Sequence, residues 1–321
     1  MARLGEGLNI TGSFSLAATT ENTSSAGNLW FDGTGFQYST YGTATWSTGG
    51  SLITGRYFLA GAGTQDAGLA FGGATGNGAC TEEYDGSSWT AGGVLATARY
   101  RLAGAGTQTA GLAFGGKVSG PYGCTCTEEY DGSSWTAGGA LATARQQLAG
   151  AGTQDAGLAF GGYTFSGGSF TTFSCTEEYD GSSWSAGGAL INAMKRLAGA
   201  GTQNAGLAIG GIPASNAFFA ACTEEYDGSS WSAGGALITG RQELAGAGTQ
   251  NAGLTFGGSA PVQLSCTEEY DGTSWATGGA LITARQYLAG AGTQTAGLAF
   301  GGNPGNACTE EYTAAIVTCT L

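Results

Sequence analysis

LAGAGTQDAGLAFGG at residues 59–73 is followed, after six dissimilar residues, by CTEEYDGSSWTAGGVL at 80–95. The first half returns in near-copy five more times. The second returns four more times, with a sixth copy cut down to CTEEY at 308–312. Gly-Gly pairs begin at Gly72, Gly115, Gly161, Gly210, Gly257 and Gly301, in steps of 43, 46, 49, 47 and 44 residues. That period is the length of one four-stranded blade of a β-propeller, a fold in which each unit buries its faces only against its neighbours.

Each unit reads as four short antiparallel strands. LAGAGT is small and glycine-rich, as strand A must be beside a crowded central axis. AGLAFGG supplies strand B, and CTEEY and SSWxA supply strands C and D. Asp-Gly between strands C and D is a strong hairpin signal, since a type I′ turn needs positive φ at both central residues. In that register Tyr84 stands opposite Ser87 and Glu82 opposite Trp89. Helical periodicity is absent, so the fold class is all-β.

These residues carry a resemblance. Gly72-Gly73 after strand B, Tyr84 and Trp89 flanking the C–D turn, and Arg99 leading into the next unit resemble the kelch family, over residues 56 to 312. The step from Tyr to Trp is five residues, shorter than the usual kelch spacing. The compact Tyr-Asp-Gly-Ser-Ser-Trp form is similar to kelch-type repeats of phage proteins. The resemblance implies a kelch-like propeller of four-stranded antiparallel blades.

Blade number depends on the two ends. TAAIVTCTL after Tyr312 aligns without a gap to DGSSWTAGG, with Val317 at the Trp position. FSLAATTENTSSAGNLWFDG can be laid on strands A and B, after which Tyr41 and Trp46 repeat the five-residue step. The adopted reading is an N-terminal arm at 1–12 and seven blades across 13–321, at about 13–50, 56–93, 99–139, 145–188, 195–235, 241–279 and 285–321. The alternative is six blades, with residues 43–50 supplying the missing outer strand of the last one.

With 63 glycines but 41% hydrophobic residues and seven tryptophans, the chain is a folded one whose glycine belongs to turns and close-packed strands. A net charge of -13 argues against nucleic acid, whose binding rests largely on Lys and Arg. Twelve glutamates in six Glu-Glu pairs and five aspartates in repeated turns make up 17 of the 23 acidic residues, so the acidity belongs to the scaffold. Recurrent Arg56, Arg99, Arg145, Arg241 and Arg285 are expected to pair with at least one Glu per blade. One unit carries Met194 instead, with Arg196 two residues on, and should be locally altered. Cys80, Cys126, Cys175, Cys222, Cys266 and Cys308 occupy one repeat position, too far apart for disulfides, and are expected to be buried thiols. There is no apolar run of 18 residues or recognisable secretion signal, so neither membrane insertion nor export is expected.

The copies agree almost everywhere, with two exceptions. The B–C loops read ATGNGA, KVSGPYGCT, YTFSGGSFTTFS, IPASNAFFAA, SAPVQLS and NPGNA, with lengths of 6, 9, 12, 10, 7 and 5. The dipeptides at the D–A connections are Tyr57-Phe58, Tyr100-Arg101, Gln146-Gln147, Lys195-Arg196, Gln242-Glu243 and Gln286-Tyr287. Because antiparallel strands reverse direction, both sets should share one face. Free drift of surface loops is the plainer account, but the exposed A–B and C–D turns do not vary in the same way. Aromatic residues among Gly, Ser and Asn resemble binding loops. The candidate contact residues are Tyr122, Tyr163, Phe165, Phe170, Phe173, Phe218 and Phe219 from the loops, with Tyr57, Tyr100, Arg101 and Tyr287 from the connections. Loops 163–174 and 212–221 are the favoured contact surface.

The absence of histidine removes the commonest metal ligand and general base, and argues against copper-oxidase chemistry. Glycoside hydrolysis needs a singular carboxylate pair, whereas these carboxylates recur six times. Calcium at the Asp-Gly turns lacks ligands, and Cys124-x-Cys126 alone is a poor zinc signal. The expectation is a non-enzymatic binding protein without cofactor or metal. It would be a phage virion component, in a tail or capsid appendage, assembled in the host cytoplasm and acting outside it. Its partner would be a host surface receptor, a glycan among the options, or another virion protein. An intracellular kelch adaptor is the alternative, although the chain leaves no room for the usual companion domain.

Overall fold

The computed structural model describes residues 29–31, 36–41, 44–74, 78–118, 120, 122–215, 219–303, 306–314 and 316–320. The chain divides into two compact units, residues 45–313 and a smaller unit formed by 1–44 with 314–321.

The larger unit is a β-propeller of six four-stranded antiparallel sheets. The first blade runs Ala60–Gly63, Gly68–Phe71, Thr81–Tyr84 and Trp89–Ala91, and the next four repeat the order A-B-C-D without interruption. The sixth uses Ala289–Gly292, Ala296–Phe300 and Thr309–Thr313, and takes its outer strand from the start of the unit, Thr45–Thr48. Strand A of each blade packs beside strand A of the next, and the last meets the first.

The count is therefore six, the alternative of the two sequence readings. Trp46 stands opposite Tyr312, where the seven-blade alignment had put Val317. Ile316–Thr320 instead pairs with Phe36–Tyr41, which pairs in turn with Leu29–Phe31, making the three-stranded sheet of the smaller unit. Tyr41 thus belongs to that sheet, and 13–50 does not form a blade. Residues 1–28, which include the expected arm, lie outside the described residues. The physical reason is side-chain chemistry. Trp46 fills the seam with its ring, 4.8 Å from that of Phe256 and 4.9 Å from that of Tyr312, and its Nε1 donates to Thr267 Oγ1 at 2.9 Å. A valine side chain has neither ring nor N–H, and the sequence Thr313-Ala314-Ala315 lacks the Asp, Asn or Gly of a tight turn.

The core lies in six seams between blades. In the first, Leu69 and Phe71 of one blade pack against Tyr130 and Trp135 of the next, with Phe71 and Trp135 centroids 5.0 Å apart. Polar groups cross the same seams. Trp135 Nε1 donates to Thr81 Oγ1 at 2.9 Å, Gln108 Nε2 to Tyr84 O at 2.6 Å, and the Tyr130 hydroxyl to the Glu83 carboxylate. The closing seam repeats all three, through Trp89 to Thr309, Gln65 to Tyr312 O and Tyr84 to Glu311. Close approach at the axis explains strand A: a Cβ on Gly61 would sit 2.6 Å from Phe300 Cζ and 2.8 Å from Gly290 O.

The two glutamates of each pair divide the work. The second takes the neighbouring tyrosine hydroxyl; the first takes the buried arginine, as at Arg56–Glu82 (2.9 Å) and Arg145–Glu177 (3.0 Å). Five such pairs occur, with guanidinium groups almost wholly enclosed. In the fourth blade Met194 is buried at the arginine position and Glu224 lacks this partner, receiving instead the Ile191 and Asn192 amides and the Asn192 side chain. Burial pushes its carboxyl up, against those hydrogen bonds.

The C–D hairpin differs from its expected register. Tyr84 pairs with Trp89 and Glu82 with Ala91, so the loop is the four residues Asp85-Gly86-Ser87-Ser88. Gly86 alone has positive φ (88°), and Asp85 Oδ1 accepts the amides of Ser87 and Ser88 at 2.9 and 2.8 Å. An aspartate side chain organises the turn, in place of two left-handed residues. The six repeat cysteines are free thiols, five of them half-buried rather than buried and the sixth, Cys308, exposed.

Candidate functional face

The D–A dipeptides and B–C loops form one hydrogen-bonded surface. Tyr57 bridges Ala74, Tyr100 bridges Lys117, Gln146 bridges Tyr163, Lys195 pairs with Ile212, and Gln242 bridges Ser259. In the sixth blade Asn303 N donates to Gln286 O at 2.9 Å. The two variable sets thus share a face, as strand direction requires.

The second residue of every dipeptide joins a closed main-chain ring around the axis. Arg101 N donates to Phe58 O (2.8 Å), Gln147 N to Arg101 O (2.9 Å), and Arg196 N to Gln147 O (2.9 Å). Glu243 N continues to Arg196 O (2.9 Å), Tyr287 N to Glu243 O (3.0 Å), and Phe58 N to Tyr287 O (2.9 Å). All six have left-handed backbones, with φ between 49° and 60°. Residues with a Cβ adopt that region rarely, at about 1–2 kcal/mol each, and the ring hydrogen bonds offset the cost. Beneath the ring Leu59, Leu102, Leu148, Leu197, Leu244 and Leu288 line a small depression.

Side chains above the ring fall into two sectors. One is aromatic: Phe58 lies 4.1 Å from Tyr287, 5.2 Å from Tyr57 and 6.3 Å from Tyr100, centroid to centroid. The Arg101 guanidinium sits 4.5 Å above the Phe58 ring. The other sector surrounds a cavity of about 510 Å³ lined by Arg101, Lys117, Gln146, Tyr163, Phe165, Phe170, Lys195 and Arg196. Arg101 Nη1 donates to Gln146 Oε1 and the Tyr163 hydroxyl, each at 3.2 Å. Arg196 donates to Gln147 and Gln242 (3.1 and 2.9 Å) and pairs with Glu243 at 3.0 Å. Burial pushes the Glu243 carboxyl up, opposed by Arg196, the Tyr287 hydroxyl and Arg101. Lys195 Nζ lies 5.5 Å from the Tyr163 ring centroid and 5.9 Å from that of Phe170. Burial, then the neighbouring Arg196 charge, lowers its ammonium.

Loop 163–174 is a hairpin in its own right, Tyr163–Ser166 against Ser169–Thr172, with Phe165 opposite Phe170. Their centroids are 4.8 Å apart, and Tyr163 and Phe170 are 5.6 Å apart. Tyr163 is consequently buried and acts through its hydroxyl, whereas Phe170 is 65% exposed. Phe173, just past the returning strand, is half-buried, its amide bound to Gly162 O. Tyr122 is exposed; Tyr57, Tyr100, Arg101, Phe165, Tyr287 and Phe219 are half-buried. Phe218 lies outside the described residues.

Sequence reasoning missed Lys117, Gln146, Lys195 and Arg196 as members of one cavity. The signal was available as a census of cations. Five of the ten Lys and Arg are the buried partners of glutamate, and Arg3 lies outside the described residues. All four others line this cavity. Away from the face, the Cys124 thiol, then the Arg99 guanidinium, hold Cys126 of the C-x-C below the usual thiol range. Compared with known proteins, the chain matches no protein-family model and no curated protein sequence.

Proposed function

We propose that the chain is a kelch-type propeller that works by binding, as part of a phage tail or capsid appendage. Its B–C and D–A face meets a host surface receptor or a neighbouring virion protein. One observation carries the reading: the residues that differ among six otherwise matching copies are those hydrogen-bonded into a single surface. The opposite turns keep their chemistry, with Asp85, Asp131, Asp180, Asp227 and Asp271 each capping the same loop. A scaffold held constant beneath unlike loops is the arrangement of a recognition surface. The compact Tyr-Asp-Gly-Ser-Ser-Trp unit supports the kelch-type, phage-like part of the proposal.

The test replaces residues 163–174 and 212–221, together, with Asn-Pro-Gly-Asn-Ala and measures host adsorption and particle assembly. Loss of either is the expected outcome. Adsorption and assembly both intact would sink the proposal.

A further inference from the structure

Among the described residues, the four cations outside the Arg–Glu pairs of the blades converge on one cavity of a chain whose net charge is -13. That placement runs against the charge of the molecule. Among the described residues, Arg101, Lys117 and Lys195 form no ion pair, and Arg196 shares its charge with Glu243. Lys195 is 7% exposed, and its ammonium faces two ring surfaces and the cavity. Like charges gathered on one cavity repel one another, and only Arg196 has a carboxylate partner there, so the site is electrostatically incomplete by itself. An anion would complete it.

The walls narrow the kind of anion. Tyr163, Phe165 and Phe170 supply apolar ring surface, while Gln146 and the Tyr163 hydroxyl hold the Arg101 fork in place. The volume of about 510 Å³ suits a small molecule rather than a bare ion, and a few placed polar groups among aromatic walls suit an oriented one. We propose that this cavity binds an acidic saccharide, its carboxylate or sulfate held by Arg101, Lys117, Lys195 and Arg196 and its ring lying against Tyr163, Phe165 and Phe170. The assignment rests on reading this face as the docking surface and names the ligand class of that surface.

The test is calorimetric titration of the full chain at low salt. The probes are glucuronate, galactose 6-sulfate, uncharged glucose, inorganic sulfate and a tetraglutamate peptide. At least one acidic saccharide should bind about tenfold or more tightly than glucose and than inorganic sulfate, and Lys195→Gln should weaken it by a similar factor. Lys117→Gln, at a half-exposed position, should weaken it as well and guards against misfolding of the Lys195 variant. Equal binding of glucose or of sulfate, or saccharide binding unaffected by both variants, overturns the proposal; tighter binding of tetraglutamate overturns it in favour of an acidic peptide. Host adsorption, measured in parallel, separates the two readings. Adsorption lost on loop replacement, with saccharide binding indifferent to Lys195→Gln and Lys117→Gln, overturns this site and leaves the docking face standing. Saccharide binding lost in both variants, with adsorption and assembly unaffected by loop replacement, upholds the site and overturns the docking face.

Discussion

Trp46 stands opposite Tyr312, so the outer strand of the last blade comes from the start of the propeller and its inner three strands from the end. The ring is closed by strand pairing as well as by packing. Trp46→Ala should cost about 3–5 kcal/mol, the usual range for a large aromatic removed from a core. The same substitution at Trp135 leaves the strand exchange intact. Denaturant unfolding of both variants checks this: Trp46→Ala should be at least as destabilising, with a lower transition slope if the closing strand detaches first.

The fourth blade offers a gain of stability. Met194→Arg places a guanidinium where five other blades have one, beside a Glu224 carboxyl that burial now pushes up. Because the folded state holds that proton more tightly than the unfolded chain, stability falls as pH rises from the ordinary glutamate value through the raised one. The substitution should remove this loss and, through charge-assisted hydrogen bonds to Glu224, add about 1.5–3 kcal/mol at neutral pH. Conversely, Glu82→Gln leaves Arg56 enclosed without its counter-charge and should cost about 3–5 kcal/mol. Thermal melting across mildly acidic to neutral pH distinguishes the two.

Alkaline unfolding should be steep. Burial and a hydrogen bond to the neighbouring blade's glutamate push Tyr84, Tyr130, Tyr179, Tyr226 and Tyr270 up to about 12, from an ordinary value of 10.0. Their folded-state values are raised, so the stabilisation is whole below pH 10.0 and is lost between there and about 12, where the unfolded chain ionises first. Tyrosinate absorbance should rise together with loss of structure rather than before it. Tyr130→Phe, which removes one seam bond, should lower neutral-pH stability by about 1–2 kcal/mol and make the alkaline transition shallower.

Thiol reactivity should single out the C-x-C. Cys126 is lowered by Cys124 and Arg99, whereas burial raises Cys222. Iodoacetamide at neutral pH should alkylate Cys126 before Cys222, as read by peptide mass spectrometry. Cys124→Ala should slow the labelling of Cys126 markedly.

Most of the scaffold was legible in the sequence because repetition exposes it. The four strands, the Arg–Glu pairing and the altered blade at Met194 all follow from comparing copies within one chain. Blade number was harder, because a five-residue Tyr-to-Trp step also occurs from Tyr41 to Trp46 although the partner of Trp46 is Tyr312, far along the chain. The C–D register was misread because Asp85 works through its side chain, which a turn rule based on φ does not see. At the candidate face the aromatic residues drew attention by type. Of the cations only Arg101 did, because Lys117 opens a loop while Arg101, Lys195 and Arg196 sit in connections, and only the fold brings them together.

The main-chain ring through Phe58, Arg101, Gln147, Arg196, Glu243 and Tyr287 separates architecture from identity. Each position is fixed by its amide, its carbonyl and a left-handed backbone, so closure of the ring does not depend on which of these side chains it carries. Two arginines, a glutamate, a glutamine and two aromatics occupy equivalent places without disturbing the circle. The propeller thereby carries a six-character field, writable one blade at a time, on a frame that does not register what is written.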